Sequence, residues 1–400
     1  MTVTGFSLRR IALPAFGPSL LFGLAEGAIL PVLALSAREL GASVPTAAFI
    51  VALIGIGSLL SNIPASLITM HRGERWAIVA AALWCAIALA LCAWARHLAV
   101  FALASFMIGM AQAVFSLARQ SWLTEAVPIE LRARAMSTLG GALRIGMFLG
   151  PFLGAAAIHR WGLGGAYGVG IVAAAIAAVT AARLPDLPAA TDANDAAQGA
   201  PAATPTLRST LRDHRTVLFT LGIGVLLVSA VRASRQVVIP LWADQLAIEA
   251  SLASLIYGLA GGVDMLLFYP AGKVMDQKGR NWVAVPSMLI MGAALLLMPL
   301  AQGPWTLLFA AMALGFGNGI GAGMIMTIGA DHSPSVGRAH FLGVWRLISD
   351  IGASCGPALL SLLAAALSLS TGIAITGLLA FGAAAQLARW IPRMEAGRRR

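Results

Sequence analysis

Eight ionisable residues interrupt long apolar stretches of the chain: Glu26, Arg119, Arg144, Arg232, Arg235, Asp264, Arg346 and Asp350. A charge facing lipid near the centre of a bilayer costs roughly 2.5 to 3.5 kcal/mol on insertion scales, so these residues are expected to face protein or a watery cavity. Glu26 falls midway along its apolar segment, out of reach of either interface; Asp264 is similarly central, with Arg232 or Arg235 of the preceding segment as partners. An acid so placed can exchange a proton when its surroundings alternate between wet and dry, or between paired with arginine and alone. Glu26 and Asp264 are the first candidates for that chemistry and Asp350 the third. Arg119, Arg144, Arg232, Arg235 and Arg346 outnumber the acids, which suits an anionic or zwitterionic ligand better than a purely cationic one. Two blander readings stand beside these: Arg346 and Asp350, four apart, neutralise each other, and Arg119 snorkels from a helix end.

The elements that hold these charges are membrane spans. Of 400 residues, 59% are hydrophobic and 11% charged, against roughly half and a quarter in soluble domains. A span needs about 20 mostly apolar residues. Spans are predicted near 11 to 35, 45 to 69, 76 to 95, 98 to 120, 135 to 158 and 162 to 182, then near 216 to 242, 251 to 272, 282 to 301, 304 to 329, 340 to 367 and 370 to 391. The fold class is therefore an all-α membrane protein of twelve helices, with 1–183 and 216–400 as six-helix halves and 184–215, rich in Pro, Ala, Thr and Asp, as a linker.

Lys and Arg collect on one side of such a topology: Arg9, Arg10, Arg72, Arg75, Arg132, Arg134, Lys273, Lys278, Arg280, Arg338 and the tail Arg398 to Arg400, against Arg38, Arg96 and Arg160 on the other. The positive-inside rule makes the richer side, with both termini, cytoplasmic. The net charge of +11 is then a set of loop anchors and not a nucleic-acid surface. Ser7-Leu8-Arg9-Arg10 resembles a twin-arginine export signal, but the apolar segment after it is too long for a signal core, so the first helix is expected to remain. Cys85, Cys92 and Cys355 have no metal-type spacing and read as small packing residues; no metal is expected.

The two halves repeat at a single ungapped offset of 206 residues. Pro64-Ala65, Gly73 and Trp76 align with Pro270-Ala271, Gly279 and Trp282; Pro128, Arg132-Ala133, Ile145-Gly146, Gly150-Pro151 and Leu153 align with Pro334, Arg338-Ala339, Ile351-Gly352, Gly356-Pro357 and Leu359. Parallel six-helix repeats joined by a linker are a transporter layout.

Within that repeat, Gly272-Lys273-Val274-Met275-Asp276-Gln277-Lys278-Gly279-Arg280 resembles the G-x-L-x-D-[RK]-x-G-[RK] signature of the major facilitator superfamily. The first-half copy keeps Gly73 and Arg75 but has Ser66 and Met70 where the signature has Gly and Asp, with Glu74 as a substitute charge or a solvated one. Gly146, Gly150-Pro151 and Gly154 in the fifth span resemble that family's antiporter motif, with Ser137 and Ala155 as small replacements and Gly343, Gly352 and Gly356-Pro357 as a second-half echo. Glycines four apart line one face for close helix approach, and Pro151 bends the rod. The R-x-x-Q-G pattern of drug antiporters is absent: Ser105 stands at the Arg position, and Arg119 is the alternative.

The resemblance implies a secondary transporter of the twelve-helix drug:proton antiporter branch, a monomer in a bacterial inner membrane, moving a small organic molecule with protons and needing no cofactor. Asp276 and Arg280 would latch a gate. A symporter or uniporter of an anionic or zwitterionic metabolite is the alternative. A polytopic enzyme or scaffold is the rival from another class, but His71, His97, His159, His214, His332 and His340 are scattered, and no phosphate-binding glycine-lysine loop is present.

Overall fold

The computed structural model describes residues 8–127, 129–184, 212–334 and 338–398, and every regular element among them is helical. Helices α1 (Leu8–Glu39), α2 (Val44–Arg72), α3 (Glu74–Trp94), α4 (Leu98–Ala126), α5 (Ile129–Trp161) and α6 (Leu163–Ala182) come first. They are followed by α7 (Arg215–Gln245), α8 (Ala250–Lys278), α9 (Asn281–Leu297), α10 (Pro304–Ile320), α11 (Met324–His332), α12 (Arg338–Ala366) and α13 (Leu369–Arg398). Among the described residues, twelve segments of 20 to 31 residues are long and apolar enough to cross a membrane. The linker at 184–215 lies, apart from its ends, outside the described residues, as do Pro128, Arg399 and Arg400.

One span departs from the expected continuous helix. The tenth, Pro304–His332, is broken into α10 and α11, with Gly323 in the left-handed region at φ +79. The run Gly315-Phe316-Gly317-Asn318-Gly319-Ile320-Gly321-Ala322-Gly323 places glycine at every second position, which weakens helix propensity and supplies the residue that turns left-handed without strain. Backbone carbonyls freed by such a break need partners inside a membrane, and the Gly321 carbonyl finds one in Arg232.

Two further glycines carry the repeat into the backbone. Gly73 between α2 and α3 has φ 77 and ψ 157, and Gly279 between α8 and α9 has φ 94 and ψ 166. That region of φ/ψ space is essentially closed to residues with a Cβ. Only glycine turns the chain there without strain.

By its contacts the chain forms two compact units: one with α1, α2 from Leu53 onward, α3 to α6 and the start of α8 up to Gly258, the other with the remaining segments. In the first, α1 packs on α5 so closely that a Cβ on Gly146 would overlap the Leu20 carbonyl, and one on Gly150 would come 2.6 Å from the Leu24 carbonyl. In the second, Gly352 and Gly356 of α12 bear in the same way on the carbonyls of Leu226 and Ala230 of α7. These contacts repeat at the sequence offset of 206 on both partners, as do Gly109 on Ile54 and Gly315 on Ala260. The helix-five glycines therefore make a crossing that both halves use, driven by van der Waals contact of backbones in lipid.

Candidate functional site

Among the described residues, each unit holds a buried cluster of charged and amide side chains. In the first, Phe22 and Glu26 lie four apart on α1 and meet a stripe of Gln112, Phe115 and Arg119 on α4. Phe22 and Phe115 stack with ring centroids 3.9 Å apart and planes 9° apart. Glu26, only 8% exposed, takes a hydrogen bond from the Gln112 side chain and lies in the field of Arg119. Arg119 does not snorkel: it is 6% exposed, its guanidinium sits 5.5 Å from the Phe115 ring centroid, and its Nε and Nη1 have no hydrogen-bond partner among the described residues. A buried donor without an acceptor carries a desolvation cost of about 1–3 kcal/mol. The close α1–α5 crossing holds α1 from the side of Gly23 and Gly27 and leaves Glu26 on the adjoining face towards α4.

In the second unit, Asn318 of α10 joins an acid to a base. Its Nδ2 donates to Asp264 Oδ2 of α8 at 2.6 Å, and its Oδ1 accepts from Arg232 Nε of α7 at 2.7 Å. Only this orientation of the amide serves both neighbours, because a carboxylate accepts and a guanidinium donates. Arg235 Nη1 lies 3.5 Å from the same Asp264 oxygen, and Arg232 Nη1 donates to the Gly321 carbonyl at 3.0 Å. Gly315 and Gly319 allow α10 to approach the Ala260 and Asp264 backbone of α8. This brings Asn318 within reach of Asp264. The result is a charge-assisted network across three helices, ended by a carbonyl from the helix break.

The two clusters are related by the repeat. Arg232 lies 206 residues after Glu26, and Asn318 lies 206 after Gln112, so corresponding positions carry an acid beside an amide in one unit and a base beside an amide in the other. Matching identities along the chain misses this correspondence, since the residue types differ. Gln112, Asn318 and Gly321 are not among the candidates that the sequence singles out. Their signal is there, as amides inside apolar spans and as the alternating glycines.

Of the remaining candidates, Arg144 is half-buried on α5. Arg346 and Asp350 form a loose pair within α12, 3.9 Å apart with side chains 49% and 35% exposed. These three lie on helices other than those that build the two clusters. Cys85 and Cys92 are buried and Cys355 is exposed.

At the signature turn, Arg280 makes a two-pronged pair with Asp331 at the end of α11, Nε to Oδ2 at 2.6 Å and Nη2 to Oδ1 at 3.2 Å. Asp276 and Gly272 lie on the last turns of α8, Asp276 exposed. In the first unit the positions 206 earlier are Glu74 and Glu125, two acids where the second unit has a base and an acid. Glu74 is half-buried and accepts from Ser121 Oγ at 3.1 Å, and Arg75 donates to the Leu184 carbonyl at 3.3 Å.

The Major Facilitator Superfamily model matches residues 18–276 and 221–400. No curated protein matches the sequence. Among solved structures, a point-mutant form of the nucleoside transporter NupG is similar with a TM-score of 0.75 at 13% identity, covering 94% of this chain and 99% of that one. A D-xylose-proton symporter gives a TM-score of 0.72 at 16% identity over 96% and 98% of the two chains. The human organic anion transporter MFSD10 gives 0.65 at 17% identity over 96% and 100%. At these identities the likeness is one of fold. With the family match spanning both halves and twelve candidate spans, the chain belongs to the Major Facilitator Superfamily and is a multi-pass membrane transporter of the secondary kind.

Proposed function

We propose that the protein is a proton-coupled exporter of a small organic molecule, working by alternating access in a bacterial inner membrane with both termini cytoplasmic. The observation that carries the coupling is the pair of buried acids, each tied to an amide and close to arginine: Glu26 with Gln112 and Arg119, and Asp264 with Asn318 and Arg235. A carboxylate beside arginine keeps its charge. The same group, separated from the cation in a dry site, takes up a proton, so conformation and protonation are linked. Outward direction is supported by the resemblance of Gly146, Gly150, Pro151 and Gly154 to the antiporter motif. Asp276 and the Arg280–Asp331 pair supply the gate that holds one conformation.

A second reading, a symporter or uniporter of an anionic or zwitterionic metabolite, is favoured by Arg119, whose buried donors suit a carboxylate. The test is Glu26→Gln and Asp264→Asn in proteoliposomes. Either change is expected to abolish uphill transport while substrate exchange at equal concentrations persists. If both variants still concentrate substrate, the acids are structural partners and the coupling assignment is wrong.

A further inference from the structure

Away from both polar clusters, the first unit has an open groove of about 840 Å³ between the end of α2 and the start of α3. Leu67 and Ile68 of α2 face Leu83 of α3 across it, and His71, Arg72 and Trp76 stand at the end nearest the Gly73 turn. Leu67, Trp76 and Leu83 are about half exposed. Through Ile68 and Ala80 it continues into a smaller apolar pocket of about 220 Å³ that reaches Trp84 of α3 and Val114 of α4.

Its dimensions and its charges both point to one kind of occupant. From Glu74 to Trp84 is ten residues of helix, a rise of about 15 Å, or one leaflet of a hydrocarbon layer about 30 Å thick. The end at the membrane surface is basic. Arg72 is exposed there, Arg75 lies over the Trp76 ring at 4.9 Å, and His71 is anchored through Nδ1 to the Leu67 carbonyl at 2.9 Å. The acid at the same turn, Glu74, is engaged by Ser121 of α4. A wall of aliphatic side chains one leaflet deep, headed by cations and an interfacial indole, matches a lipid acyl chain below an anionic headgroup.

We propose that this groove is a binding site for one anionic phospholipid of the surrounding bilayer, its phosphate held at Arg72 and its acyl chain laid between α2 and α3. The site lies outside the polar clusters and does not depend on how transport is coupled.

Trp76 supplies the probe. The full chain is placed in phosphatidylcholine nanodiscs containing a small fraction of acyl-brominated phosphatidylglycerol or, separately, acyl-brominated phosphatidylcholine. The quenching lost in Trp76→Phe isolates the groove. One arginine near the surface contributes a preference of about fivefold for the anionic lipid. Brominated phosphatidylglycerol should therefore half-quench the Trp76 component at about one fifth of the mole fraction that brominated phosphatidylcholine needs. Arg72→Gln should remove the difference and Arg72→Lys should keep it. Native mass spectrometry should show phosphatidylglycerol retained on the wild-type chain and released from Arg72→Gln. Equal quenching by the two lipids would mean an ordinary lipid-facing surface and would overturn the proposal. A preference that survives Arg72→Gln would overturn it too.

Discussion

Replacing Asn318 by Leu keeps the branched four-atom outline of the side chain but removes the amide that joins Asp264 to Arg232. Two interhelical hydrogen bonds go, one of 2.6 Å and one of 2.7 Å. Bonds of this type between membrane helices average about 0.6 kcal/mol and reach about 1.7 kcal/mol. Both here involve a charged partner and are short, which places them at the upper end, for about 3 kcal/mol together. Arg232 keeps its bond to the Gly321 carbonyl and Asp264 keeps Arg235, so the loss is partial. On the scale of a domain of roughly 200 residues, about 3 kcal/mol corresponds to a fall in melting midpoint of about 6–12 °C. The assay is thermal unfolding of the detergent-solubilised protein followed by intrinsic fluorescence, with transport rates measured on the same preparations. Asn318→Gln, which keeps the amide on a longer arm, should lose less. If Asn318→Leu melts with the wild type and transports normally, the three-helix network is incidental and the reasoning fails.

Further outcomes follow from the repeat. Glu74→Arg gives the first unit the base that Arg280 supplies in the second, facing Glu125 as Arg280 faces Asp331; it should raise stability by about 0.5–1 kcal/mol, and the gain should vanish in a Glu125→Gln background. Gly146→Ala and Gly352→Ala should both lower the melting midpoint, since each added methyl meets a carbonyl of the opposing helix. Gly343→Ala, where nothing lies within 4 Å of the added Cβ, should instead raise stability, by the roughly 0.5–1 kcal/mol that a helical glycine costs. Asp276→Asn should slow transport with little loss of folded protein, and unchanged transport across a range of pH would remove Asp276 from the gate.

The spans and the glycine crossings can be read from the sequence because they depend on local quantities, namely apolar length and spacing along one helix. The partner of a glycine face is another matter. Gly146 and Gly150 announce close packing, but that the neighbour is α1 follows only from the folded chain. Hydropathy averaged over a span is blind to a three-residue interruption, which is why it reads a continuous helix through Gly321 to Gly323. Arg119 near a helix end suggests an escape to the interface, yet its direction is set by the stripe it shares with Gln112 and Phe115, and that stripe faces Glu26. Charge and spacing pair Asp264 with Arg232 or Arg235. It meets Arg235 directly and Arg232 through Asn318, an uncharged residue that a search for charges passes over.

The proposed coupling of proton movement to transport is assigned to two buried acids, and it is open to direct observation. Wild-type protein is reconstituted in liposomes loaded with a pH-sensitive dye and challenged with a chemically diverse compound set, with and without an imposed pH gradient. For each compound that moves, protons should flow in the opposite direction, and accumulation should rise with the gradient and collapse with an ionophore. Compounds that move to the same final level whether or not the gradient is present, with no change in internal pH, would contradict the account.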